Sequence, residues 1–178
     1  MLPLETNKIK LRALEPSDLN FLYTIENDPF VWEVSNTQTP FSKHVLELYL
    51  QNAHLDIYTV KQLRLMICNL ENEALGTVDI YDFDPQHRRA GIGIFIVEKE
   101  RKKGLAKEAL SLVCDYSFSV LGLNQLFCGI APSNTASKKL FETIGFVLNG
   151  QKKQWRRNRS GEFEDELFFQ LLQTDFKS

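Results

Sequence analysis

Polar and apolar residues alternate from Lys8 to Ala13, the period of a half-buried strand. Pro16, Ser17 and Asp18 supply helix-start chemistry, and Leu19, Leu22, Ile25 and Glu26 then recur at helical spacing until Asn27-Asp28-Pro29 stops the run. Ser42 is placed to cap a second helix, on which Leu46, Tyr49, Leu50 and Ala53 share one face. The stretch Phe30 to Phe41 between these helices reads as a loop. Three extended runs follow, Leu63 to Leu70, Ala74 to Phe83 and Ala90 to Val97, joined by short polar connectors that make them antiparallel neighbours. From Gly104 the period changes. Leu105, Ala109, Leu112, Val113, Tyr116 and Val120 form the stripe of the longest helix, with Gly122 as its stop. Gln125 to Ala131 reads as a strand, Asn134 to Ile144 as a helix ended by Gly145, and Glu164 to Leu172 as a last strand.

This order combines an antiparallel meander with a strand-helix-strand crossover, which predicts an α+β fold: a mixed, mainly antiparallel central sheet with helices on both faces. With no internal repeat, linker or composition break, residues 1–178 are expected to form a single domain. Lys and Arg number 21 against 23 Asp and Glu, so a net charge of -2 gives no general attraction to nucleic acid or to an anionic membrane. An anion site must therefore be local. No apolar run approaches the ~20 residues needed to cross a bilayer, and none near Met1 resembles an export signal. Cys68, Cys114 and Cys128 are an odd number at wide spacings, and His44, His54 and His87 lack ligand spacing, which argues for a reducing, cytoplasmic setting and against a metal centre.

The informative segment runs from Ile96 to Ala106, between a strand and the longest helix. A helix amino terminus presents unpaired N–H groups and a partial positive charge. Gly104 permits close backbone approach there, and Arg101, Lys102, Lys103 and Lys107 concentrate cations, so the segment suits a pyrophosphate. A solvated basic turn would use the same residues. Its wider setting resembles the GNAT N-acetyltransferase superfamily, which binds acetyl-CoA through an R/Q-x-x-G-x-G/A loop between its fourth strand and third helix. Arg101-Lys102-Lys103-Gly104-Leu105-Ala106 matches that loop, and Asn134-x-x-Ser137-x-x-Leu140-Phe141-Glu142-x-x-Gly145-Phe146 is similar to the superfamily's N-x-x-A-x-x-L-Y-E-x-x-G-F run. Asp115-Tyr116-x-Phe118, His87-Arg88-Arg89-Ala90 and Gly161-x-Phe163 place the likeness nearest the branch of ribosomal-protein alanine and spermidine acetyltransferases.

The resemblance implies that the backbone at Ile96 and Val97 pairs with the pantetheine arm, and that the amides of Lys102, Lys103, Gly104, Leu105 and Ala106, in the loop opened by Arg101, hold the pyrophosphate. It also implies that Asn134 contacts the cofactor near its pantetheine end, with Ser137 and either Lys138 or Lys139 lining the rest. The implied reaction is direct attack by a primary amine on the acetyl thioester of acetyl-CoA, the oxyanion being held by a backbone N–H, with no acyl-enzyme. The acceptor classes are a polyamine, another small amine or a protein amino terminus. Trp32 and Glu33, between the first two helices, fall where relatives shape the acceptor pocket.

Two departures stand out. Phe141 replaces the Tyr that protonates the departing thiolate in many relatives, and Gly91 replaces a common Glu on the fourth strand. No catalytic base is identified; Asp79, Asp82, Asp84 and Glu33 read more readily as exposed carboxylates. The competing function is therefore a non-catalytic acyl-CoA-binding module. Cys128 reads as structural, because no His partners it within an apolar strand pattern. Gly91-x-Gly93 runs into a strand, not a helix, so it marks a bulge, a bend or a close approach and not a dinucleotide fingerprint. The basic stretch Lys152 to Arg159 reads as a turn region balanced by Glu162, Glu164, Asp165 and Glu166, in preference to a nucleic-acid site. Edge strands and aromatic loops leave room for a homodimer.

Overall fold

The computed structural model describes residues 4–35, 37–158 and 160–177, with the side chains of residues 33 and 34 outside the described set. The Glu33 carboxylate and Arg159 of the basic stretch thus lie outside the described residues. The strands are β1 (Ile9–Arg12), β2 (Leu63–Asn69), β3 (Ala74–Asp84), β4 (Arg89–Ile96), β5 (Gln125–Ile130), β6 (Val147–Arg157) and β7 (Phe163–Leu172). The helices are α1 (Leu19–Glu26), α2 (Pro29–Ser35), α3 (Lys43–Gln51), α4 (Ile57–Val60), α5 (Leu105–Ser119) and α6 (Thr135–Ile144).

Local chemistry explains the starts. Ser42 Oγ accepts the Val45 N–H at 3.2 Å to begin α3, and Asp56 Oδ1 accepts the Thr59 N–H at 2.9 Å to begin α4. The expected loop from Phe30 instead opens with α2. Asn27-Asp28-Pro29 does stop α1, but Asp28 Oδ1 takes the Phe30 N–H at 2.7 Å and Pro29 occupies the first helical position, where its missing donor costs nothing. The same residues end one helix and begin the next.

The strands form one seven-stranded sheet in the order β1-β2-β3-β4-β5-β7-β6, antiparallel except between β4 and β5. Both faces are covered, which is why Leu65, Met66, Ile67 and Cys68 of β2 read as an unbroken apolar run. Leu65 and Ile67 join the larger core with Val78, Ile80, Ile92, Leu126 and Phe169, under Ala109, Leu110 and Val113 of α5 and Phe141 of α6. Met66 and Cys68 face the other way, into a smaller core with Leu22 and Ile25 of α1 and Leu46 of α3. Cys68, Cys114 and Cys128 are buried and unpaired. Among the described residues no helix is long and apolar enough to cross a membrane, and no group of side chains is placed to hold a metal ion.

Strand β1 is tied to α1 by an ion pair. Asp18, 4% exposed, accepts from Arg12 Nη1 and Nη2 at 2.8 Å each and from the Glu15 N–H at 2.8 Å. Burial pushes this carboxyl up, but the Arg12 guanidinium and the Glu15 amide outweigh it and hold it below the ordinary carboxylate value. Replacing Asp18 by Ala strands the Arg12 charge and is expected to cost about 3 kcal/mol. Because the folded value is depressed, the stabilisation is complete above the unfolded carboxyl value and is lost as pH falls through the folded one. Urea titrations of wild type and D18A should therefore differ at pH 7 and converge in strong acid.

Candidate active site

Strands β4 and β5 pair only through Arg89↔Gln125, Ala90↔Leu126 and Gly91↔Phe127, then part. Neither can close the gap, because β4 is registered against β3 as far as Ile96 and β5 against β7 as far as Ile130. The Val97 N–H donates to Leu75 O at 2.9 Å, which fixes the phase of the antiparallel ladder. Residues 91, 93 and 95 bond toward β3, so the main-chain groups of Ile94 and Ile96 face the opening. Val97 has both groups engaged, since its carbonyl accepts the Glu100 N–H at 2.9 Å. The main-chain groups left open along this edge are therefore those of Ile94 and the N–H of Ile96, and not those of Val97.

The gap widens toward the start of α5. The N–H groups of Lys102, Lys103, Gly104, Leu105 and Ala106 find no acceptor among the described residues. Lys102 (φ 63) and Gly104 (φ 82) are both left-handed, which curls the turn into a concavity of main-chain donors. A Cβ on Gly104 would meet nothing within 4 Å, so glycine serves here for its backbone conformation, and the space beside it is open. The flanking cations act differently from the expectation of a simple positive cluster. Arg101 folds back, Nε donating to Ile96 O at 2.9 Å with its guanidinium 4.5 Å from the Phe30 ring of α2. Lys103 pairs with Glu100 at 2.8 Å. An anion here is met chiefly by main-chain nitrogen.

Helix α6 opens on the same end. Asn134 Oδ1 caps it by accepting the Ser137 N–H at 3.1 Å, and Lys138 Nζ turns back to Pro132 O at 2.7 Å. Phe141 is 4% exposed and stacks edge-on against Phe146, which makes it a core side chain. Trp32 is pinned to α1 through Nε1 donating to Glu26 O at 2.5 Å. Of the alternative bases, Asp79 is held by Arg64 at 2.7 Å, while Asp84 caps the His87 N–H and pairs with Arg89. Burial pushes the Cys128 thiol far above its ordinary range, so it is no nucleophile.

Residues 8–147 match the family model described as an acetyltransferase (GNAT) domain. The chain belongs to the GNAT family. It is 26% identical over 170 residues to spermidine N(1)-acetyltransferase of Vibrio cholerae, spanning 96% of each chain. It is 28% identical over 145 residues to the Escherichia coli (strain K12) spermidine N(1)-acetyltransferase, covering 82% of this chain and 76% of that one. The crystal structure of the Vibrio cholerae enzyme in complex with CoA and spermine superposes with a TM-score of 0.86 at 26% identity, over 96% of this chain and 98% of that one. This GNAT domain is an N-acetyltransferase that takes its acetyl group from acetyl-CoA. Its own features fit that donor: an unpaired strand edge for an extended amide-bearing arm, ending on a cradle of free N–H groups for a diphosphate.

Two side chains at this GNAT site were not singled out from the sequence. Tyr81 of β3 lies directly across Gly91, where a Cβ would fall 2.2 Å from its ring, and Glu166 of β7 lies over Gly129 of β5, where a Cβ would fall 2.5 Å from its carboxyl carbon. Of the bulge, bend or close ligand approach considered for Gly91, the structure shows instead the protein's own tyrosine packed against it. The pairing of Tyr81 with Gly91 and of Gly129 with Phe168 depends on strand register, which local sequence does not carry. Replacing Gly91 by Ala overpacks this point and is expected to cost about 1–3 kcal/mol, read by thermal unfolding.

Proposed function

We propose that this GNAT domain acetylates the primary amine of a small molecule, by direct attack within a ternary complex. The observation that carries the reading is the set of unclaimed main-chain groups that begins with Ile94 and the Ile96 N–H on the cleft edge and resumes, past the Ile96 carbonyl held by Arg101, with the N–H groups of residues 102–106. Ile94 and Ile96 would hold the pantetheine arm, the turn would hold the diphosphate, and Asn134, Ser137 and Lys138 would line the far wall. Acetyl-CoA supplies an activated acyl group on a thiol of good leaving ability. The chain supplies orientation, and the Ile94 N–H supplies a donor for the carbonyl oxygen as it gains charge.

Likeness to spermidine acetyltransferases supports a polyamine or similar amine as acceptor, and Trp32, fixed beside α1, would form part of its pocket with Glu33. Buried, unpaired cysteines support a cytoplasmic setting. Val147, Leu148 and Trp155 stand exposed on edge strand β6, which supports a homodimer. Sedimentation of a single species at 20.6 kDa would remove that last reading.

A thiol-release screen of spermidine, other small amines, amino acids and peptide amino termini tests the acceptor class. Release with a small amine is the expected result; release with peptide amino termini alone would overturn the small-molecule reading. Gly104→Val forces a β-branched residue into φ 82 and fills the open space. Calorimetric affinity for acetyl-CoA should fall about tenfold or more, equivalent to losing one charge-assisted hydrogen bond of roughly 1.5 kcal/mol. Unchanged affinity would place the diphosphate elsewhere.

A further inference from the structure

On the sheet face opposite α5, three positions without side chains lie where β4 and β5 part: Gly91 and Gly93 on β4, Gly129 on β5. Tyr81 reaches over the first pair from β3; a Cβ on Gly91 would meet its Cε2 at 2.2 Å, and one on Gly93 would meet Cε1 at 3.8 Å. From the opposite side Glu166 reaches over the third, and a Cβ on Gly129 would meet Oε1 at 2.6 Å and Oε2 at 2.8 Å. Burial, reinforced by the neighbouring Cys128, Asp82 and Glu166, raises the Tyr81 phenol above its ordinary value, and the Gly129 N–H only partly offsets this. The hydroxyl is therefore protonated at neutral pH, and no side chain among the described residues hydrogen-bonds it. Glu166 Oε1 takes Lys152 Nζ at 2.9 Å, which keeps the carboxylate in place and leaves Oε2 for another donor.

We propose that Tyr81 and Glu166 are the acid and base of the acetyl transfer, an inference that rests on the function proposed above. The sequence lacks a glutamate at 91 and a tyrosine at 141, and the first absence makes room for the new hydroxyl: any side chain at 91 collides with Tyr81. As the amine nitrogen bonds the acetyl carbon, Glu166 Oε2 accepts the proton that the nitrogen must lose. Tyr81 Oη–H gives its proton to the sulfur, which leaves with the electron pair of the broken carbon–sulfur bond. Glu166 then returns its proton to the Tyr81 oxygen through solvent. Amide and free thiol are formed, and the protein is restored.

The test pairs turnover with binding in Tyr81→Phe and Glu166→Gln. Each variant should lower kcat about 10²-fold, the scale of general acid–base help, with the KM for acetyl-CoA unchanged. Separately, calorimetry with CoA and desulfo-CoA reads the placement of Tyr81 without catalysis. Wild type should prefer CoA about fivefold, one hydrogen bond's worth, and Y81F should lose that preference while binding desulfo-CoA normally. Equal preference in wild type and Y81F, or wild-type kcat in both variants, overturns the proposal. If wild type binds CoA with this preference yet releases thiol with no amine, the functional reading fails while Tyr81 still stands at the sulfur. If CoA is not bound at all, both fail.

Discussion

Strands β4 and β5 are each fastened on their outer edge and free on their inner one. β4 keeps its ladder to β3 and β5 its ladder to β7, while the two share only the short pairing that ends at Gly91 and Phe127. Main-chain donors and acceptors cannot be left dry and unpaired without a penalty of about 1–3 kcal/mol each. The gap is therefore a stretch of open strand edge, with main-chain groups that nothing in the sheet satisfies. The helices follow from the same parting: α5 and α6 each start after one of the two strands, α5 with unbonded N–H groups and α6 capped by Asn134.

Backbone geometry, more than side-chain charge, shapes the anion cradle. Arg101 is committed to Ile96 O and the Phe30 ring, and Lys103 to Glu100, so these cations brace the turn. The concavity comes from the left-handed residues Lys102 and Gly104. That division lets a chain of net charge -2 present a concavity of main-chain donors without a free positive cluster. It also links this turn to α2, the helix that bears Trp32, through Arg101 and Phe30.

Much of this was legible in the sequence, for identifiable reasons. The helical stripe of α5, the Ser42 and Asn134 caps and the extended runs of β2, β3 and β4 are local patterns, and the structure places them within a few residues of the periodicity. Helix α2 was missed because Asp28-Pro29 can end or start a helix, and only the Asp28 bond to the Phe30 amide decides between them. The turn of left-handed residues and unbonded N–H groups before α5 lies in the contiguous segment that the sequence singled out. Tyr81 and Glu166 were not legible, because each is brought to its glycine by cross-strand register across many intervening residues. Val97 shows the finer limit: ladder phase, which local sequence does not carry, engages both its main-chain groups within the protein and leaves those of Ile94 open toward the gap.

Amide hydrogen exchange with and without CoA probes the cradle most directly. The N–H groups of Lys102 to Ala106 are bonded to no protein acceptor among the described residues, so they should exchange quickly alone and become strongly protected when CoA is added, together with those of Ile94 and Ile96. Protection confined to some other segment, such as the basic strand β6, with residues 102–106 still exchanging freely, would contradict a diphosphate site built from main-chain nitrogen at the start of α5.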